Sequence, residues 1–354
     1  MNQRLPVMFL ALCAATLAGC STLPPPGEPL APRQKTALER RARQPEALGV
    51  SARVENGSLK LSNIREVDSL ALPISLLLNT EFLQPARFPV VRMRINGHLV
   101  FGLLDTGSSL SLIEYGATMR ARVAPLGPPL VASRGQGLGG RLRCYVGIAE
   151  SVMLDELQLR RVPFGIVDDA WGLTPLWWLE GHRVEAILGN DFLQPLGYLS
   201  INLPGERATL GGDGPYTPNP DRLAAALPFS MENGVPVINA DVDGIGRLRI
   251  VIDSGGDFGL WIPRGIAGQL KLSVLNDTTR VSIGSGVGGE SVWKDAGPHV
   301  VSLAGLELAN VETHVSMINF GEQDPPFALM GLQALQNYLI TFDYRYHTVY
   351  LEYP

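Results

Sequence analysis

Residues 89–105 read PVVRMRINGHLVFGLLD and residues 236–253 read PVINADVDGIGRLRIVID, and each stretch ends in an aspartate that opens a loop of small residues: DTGSS at 105–109, DSGG at 253–256. In both, apolar and polar side chains alternate, a Gly-containing turn follows, and a nearly continuous apolar run leads to the aspartate. That is the pattern of a half-buried strand, a tight turn and a fully buried strand. A single Asp-Thr-Gly is ordinary turn composition. Two copies behind matching strands are not, and working outward from them shows a repeat.

The correspondence continues in register on the far side of each aspartate. Apolar strand residues follow both loops, at 110–113 and at 260–262. A glycine motif, GQGLGG at 135–140 and GSGVGG at 284–289, begins 30 residues after Asp105 and 31 after Asp253. Leu154, Leu157, Leu159 and Val162 recur as Leu303, Leu306, Leu308 and Val311. AILG at 186–189 matches ALMG at 328–331, and 202–210 matches 343–351 as a closing hairpin. The body of the chain therefore reads as two fused copies of one β unit, residues 85–215 and 225–354.

Composition bounds the rest. The chain has 354 residues, is 45% hydrophobic and 18% charged, and carries a net charge of −5 with no Lys/Arg run, so a folded body is expected and a nucleic-acid partner is not. Thirty-nine glycines and 27 prolines with few helical periods favour many short strands joined by turns. Arg4, the apolar run over 5–17 and the ending LAGC at 17–20 resemble a bacterial lipobox. The expectation is a signal peptide over 1–19 and a lipidated Cys20, with an ordinary secretory signal as the alternative. Ser21 after that cysteine suggests, by resemblance to the bacterial sorting pattern, the outer membrane facing the periplasm. Residues 20–49, rich in Pro and charge, read as a stalk, semi-rigid near the triple proline and helical later, and 50–84 as a lead-in that opens with a hairpin about Asn56-Gly57. Cys144 is then the one cysteine left in the mature chain, so no internal disulfide is expected, and none of the five histidines stands in a motif with it.

The paired motifs, DTGSS and DSGG, each with its apolar-apolar-Gly partner, resemble the pepsin and retropepsin superfamily of aspartic proteases over about residues 88–354. The resemblance implies an all-β bilobal fold with a cleft between the lobes, Asp105 and Asp253 facing one another across a pseudo-twofold axis, and a water shared between them. It implies hydroxyls of Thr106 and Ser254 that lock the two loops, and backbone N–H groups of Gly107 and Gly255 that serve the carboxylates. Ser108 is expected to hydrogen-bond the outer oxygen of Asp105 and favour its ionised form. Gly137, Leu138, Gly139 and Gly140 in one half, and Gly286, Val287, Gly288 and Gly289 in the other, are expected to be flaps. The same motifs satisfy G-x-G-x-x-G, yet the residues after them are of strand type and open no helix, which disfavours a dinucleotide loop. With a flap on each half, the chain resembles a fused retropepsin dimer: a monomer that needs no metal or organic cofactor, takes a peptide or protein substrate, and is held at a membrane by its lipid. Trp171, Trp177 and Trp178 read as core or as cleft wall, and Asp257 as a solvated turn residue. The rival readings are a peptide-binding or assembly lipoprotein that keeps this fold without turnover, and a periplasmic ligand-binding protein of unrelated fold.

Overall fold

The computed structural model describes residues 30–55, 58–67, 75–78, 80–83, 88–137, 140–168, 184–211, 216–275, 281–286, 289–318 and 326–354. The chain builds an all-β, two-lobed fold. In the first lobe the strand Phe88–Ile95 turns at Asn96 and Gly97, both with positive φ as a two-residue hairpin turn requires, and pairs antiparallel with His98–Leu104. In the second, Val235–Val242 pairs antiparallel with Gly246–Asp253. The two opening strands share one burial pattern, four buried residues followed by alternation, because the Pro-Val-apolar start of each lies under cover and the rest has one wet face.

The second hairpin strand of each lobe delivers an aspartate to the same place. Leu112–Glu114 is parallel to Leu157–Val167 and antiparallel to Val184–Leu188, and Val184–Leu188 lies parallel to His98–Leu104. Leu260–Ile262 holds the same relation to Leu306–Ser316 and Ala328–Gly331, the latter parallel to Gly246–Asp253. Asp105 follows one strand directly and Asp253 ends the other. Long hairpins lead away from each loop: Ala132–Gly137 with Gly140–Leu154, and Ser282–Gly286 with Gly289–Leu303.

A further sheet joins the lobes. Tyr198–Asn202 and Arg207–Gly211 close the first, Leu339–Asp343 and Thr348–Glu352 close the second, and Tyr198–Asn202 pairs antiparallel with Leu339–Asp343 across the seam. Leu223–Pro228 and Ser75–Leu77 flank this sheet at its two ends. Beneath it one apolar core is common to both lobes, with Met93, Leu104, Ile113 and Leu188 from the first and Ile238, Ile252, Ile262 and Met330 from the second.

The segment before the repeat differs from its expectation as a stalk. The hairpin about 56–57 is present as Ser51–Glu55 paired with Ser58–Ser62. Upstream, however, Pro32–Glu39 is a helix whose Leu38 is fully buried, and Leu30 enters the same common core. Arg43 exchanges backbone hydrogen bonds with Pro125 and Gly127. Residues 30–49 therefore belong to the folded body. Their two apolar anchors stand eight residues apart among charges, too sparse for a periodic signal, and the surface that covers them comes from the distant first lobe.

Candidate active site

Asp105 and Asp253 meet where the two lobes join, 9% and 7% exposed, with a side-chain hydrogen bond between their carboxyls. The loops that carry them are locked reciprocally. Thr106 N–H donates to Ser254 Oγ at 3.0 Å and Ser254 N–H to Thr106 Oγ1 at 3.1 Å. Each hydroxyl then donates across the junction to the residue before the opposite aspartate: Thr106 Oγ1 to the Ile252 carbonyl and Ser254 Oγ to the Leu104 carbonyl, both at 2.7 Å. All the groups involved are buried, so each bond is made against the full cost of leaving a dry donor or acceptor unpaired.

Glycine at 107 and 255 is a steric requirement here. A Cβ on Gly107 would lie 2.5 Å from Asp253 Cγ, and one on Gly255 would lie 2.8 Å from Asp105 Cγ. Each glycine is the floor on which the opposite carboxyl rests. Each also serves its own aspartate: Gly107 N–H donates to Asp105 Oδ1 at 2.9 Å and Gly255 N–H to Asp253 Oδ1 at 2.8 Å.

The two aspartates are held unequally. Burial pushes both carboxyls up from the usual range; Asp253 is raised further by the negative charge and hydrogen bond of Asp105 and by the exposed Asp257. Asp105 has a second amide, Ser108 N–H at 3.0 Å to Oδ1, whereas the amide of Gly256 goes to the backbone carbonyl of Asp253. Ser108 thus reaches Asp105 through its amide, and its hydroxyl points elsewhere. It donates to the Leu110 carbonyl at 2.7 Å, because the turn that brings its amide to the carboxylate carries its side chain away.

The geometry alone separates this site from an accidental pair of turns. Residues 91–192 match an aspartyl protease family model. The match spans the Asp105 loop and the strands that position it, and stops before the second half that supplies Asp253. No curated protein matches the chain.

One residue of the first lobe that the repeat does not share completes the site. Asn190 donates from Nδ2 to the carbonyls of Thr106 at 2.7 Å and Ser108 at 2.9 Å, and its Oδ1 accepts from Tyr344 of the second lobe at 2.8 Å. Burial, then the charge of Asp105, raises the Tyr344 phenol, so it remains a donor. The corresponding second-lobe position after Gly331 is Leu332. The apolar-Gly segments of the two halves align up to Gly189 and Gly331, and the signal for this residue is the polar pair Asn190-Asp191 where the other copy has Leu332-Gln333.

Other candidate residues fall as follows. Gly137 pairs with Gly140 and Gly286 with Gly289, closing the two glycine hairpins, while Leu138, Gly139, Val287 and Gly288 lie outside the described residues, as do Trp171, Trp177, Trp178 and Cys20. Cys144 is fully buried, with its thiol pushed up to about 12 by that burial, and packs beside Leu112 and Gly165. The equivalent strands of the second lobe carry an aromatic ladder instead. A Cβ on Gly256 would meet Phe258 at 2.5 Å and Asp253 Oδ2 at 3.2 Å, and Phe258, Trp261, Trp293 and His314 follow outward with neighbouring centroids 5.3–5.9 Å apart.

Proposed function

We propose that the protein is an aspartic endopeptidase in which Asp105 and Asp253 activate one water against a peptide bond. The observation that carries this reading is the buried, mutually hydrogen-bonded carboxyl pair at the centre of a reciprocal Thr106/Ser254 lock. Two carboxyls so close in a dry site retain one proton between them, which supplies a base and an acid at once. Asp105, with two amide donors, is the carboxylate; Asp253, with one amide and two negative neighbours, keeps the proton. Asp105 takes a proton from the water as its oxygen bonds to the peptide carbonyl carbon, and Asp253 gives its proton to the carbonyl oxygen. The tetrahedral diol then collapses: Asp105 returns its proton to the leaving nitrogen, the C–N bond breaks, and a hydroxyl proton passes back to Asp253. No acyl-enzyme forms.

The substrate in this reading lies extended between the lobes, under the hairpins that end at Gly137/Gly140 and Gly286/Gly289, with the Phe258–Trp293 ladder as an apolar wall beside Asp253. Cleavage of a random peptide library by the folded chain, with Asp105→Asn as control, tests it. Equal product from both proteins, or none from folded wild type across mildly acidic to neutral pH, sinks the assignment.

The lipobox-like LAGC supports a second part of the proposal: the chain is a bacterial envelope lipoprotein, cleaved before Cys20 and acylated there. Among the described residues no helix is long and apolar enough to cross a membrane, and Cys20 lies outside them. Two or more acyl chains anchor stably. Cys20→Ser should move the protein from the detergent phase to the aqueous phase; unchanged partitioning, or an unacylated mature N-terminal peptide, refutes the anchor.

A further inference from the structure

Arg65 lies in the segment before the repeat, at a left-handed backbone position between the strands Ser58–Ser62 and Glu66–Val67, and its guanidinium is 2.8 Å from Asp191 Oδ2. Both side chains are more than four-fifths hidden, 17% and 19% exposed. A charge pair so covered is costly to bury, and its companion hydrogen bonds show what it holds. Asp191 Oδ1 accepts from Ser111 N–H at 2.8 Å and from Ser111 Oγ at 2.7 Å, and Ser111 Oγ accepts from Gly189 N–H at 3.1 Å. Ser111 lies two residues beyond DTGSS. Gly189 and Asp191 flank Asn190, which holds the Thr106 and Ser108 carbonyls, and the Leu188 carbonyl accepts from Asp105 N–H at 3.0 Å. The Asp105 loop is thus cradled by residues 188–191, and residues 188–191 are fixed from outside by Arg65.

Among the described residues nothing equivalent serves Asp253. Where the first lobe has Ser111 and Asp191, the second has Leu260, buried in its strand, and Gln333, which donates to Glu312 instead. The segment that brings Arg65 is seated independently by backbone pairing of Glu66 and Val67 with Arg160 and Leu159, and by Arg161 Nε donating to the Asn63 carbonyl at 2.7 Å.

We propose that Arg65 is a positioning residue for Asp105: the segment preceding the two lobes completes the site by clamping the first aspartate loop through Asp191 and Ser111. This rests on the reading of Asp105 as catalytic. It also makes the segment part of the working enzyme, opposite in sense to a removable plug in the cleft. Loosening the clamp should misplace one carboxylate while the lobes and the substrate wall stay intact, lowering kcat with little change in KM.

The test uses the full chain as Arg65→Gln, Asp191→Asn and the double variant, read by amide hydrogen exchange over 105–111 and by peptide cleavage. Arg65→Gln leaves a buried carboxylate without its cation, and exchange at Thr106, Gly107 and Ser108 should quicken about tenfold or more. The double variant, neutral at both positions and still able to accept from Ser111, should recover most of the protection and of kcat. Should Arg65→Gln not fold, Ser111→Ala breaks the same chain of contacts from inside a native segment and must quicken the same amides. Exchange unchanged at 106–108 in both variants, or quickened only at 61–67 and 159–161, overturns the clamp. Exchange reads the clamp even if wild type cleaves nothing, so failure of the protease reading and failure of the clamp are separate results.

Discussion

At the residue scale the site is governed by which groups stand within 3 Å of two buried carboxyls. Asp105→Asn and Asp253→Asn should each abolish cleavage, and the double variant should be little worse, since residues acting as one unit are not additive. The rate should follow a bell in pH, rising as the pair loses its first proton and falling as it loses its second. Stability gives an independent reading of the same pair. Burial raises both carboxyls above the unfolded value of about 4, so the folded state binds more protons than the unfolded one over the pH range above that value. Stability must then decline as pH rises through that window, and the inactive Asp253→Asn, which removes the raised carboxyl, should melt higher than wild type at neutral pH. A lower melting temperature there would contradict the electrostatic account. Gly107→Ala, whose methyl would occupy the place of the Asp253 carboxyl, should be inactive, whereas an alanine at Gly97, with nothing within 4 Å, should leave cleavage near normal despite its strained φ.

At the element scale the two halves show what a repeat makes legible and what it hides. The strand-turn-strand units and the glycine hairpins were readable because apolar alternation and turn glycines recur at an offset of 147–149 residues, and the closing hairpins because the pattern resumes at 141–142; both copies fold to matching ladders. The pairing of Thr106 with Ser254 followed from resemblance, since no periodicity reports a contact between loops 148 residues apart. What escaped reading lies where the copies differ or where there is no copy. The contact of Ser108 with Asp105 is made by its backbone amide, a donor that the identity of the side chain does not report. Asn190 and Asp191 sit where the alignment of apolar segments ends. The helix Pro32–Glu39 stands in the part of the stalk where a helix is expected, but with one buried residue, Leu38, in eight, its docking onto the lobes left no periodic signal. Leu38→Ala should destabilise the protein by about 2–5 kcal/mol, the cost of emptying a fully buried leucine site, as measured by urea unfolding at constant m-value. A change under about 0.5 kcal/mol would return that helix to the stalk.

At the scale of the whole molecule the lobes are tied at two levels. One is the Thr106/Ser254 lock beneath the carboxyls. The other is the seam of the shared sheet, where Tyr198 faces Asp343 and Asn202 faces Leu339 about a central pair, Ser200 opposite Thr341. There the two hydroxyls lie 2.6 Å apart, Ser200 7% exposed and Thr341 fully buried. With one core running under both lobes, opening the seam would expose two unpaired strand edges and a shared apolar face together, so neither lobe has a cheap route to unfold alone. Calorimetry should therefore show one transition whose calorimetric and van't Hoff enthalpies agree. The seam pair allows a sharper measurement. Thr341→Val strands the Ser200 hydroxyl in a dry site and should cost about 1–3 kcal/mol, Ser200→Ala leaves Thr341 its hydrogen bond with Tyr216 and should cost less, and the double variant, which removes both polar groups, should cost less than the two singles added. If the seam couples the lobes, that non-additivity appears in the single shared transition, and the Asp105 loop keeps its exchange protection in the double variant because the lock below is untouched. Two resolved transitions in wild type, or single-variant effects confined to one of them, would mean the lobes fold as separate domains and that the lock alone brings the aspartates together.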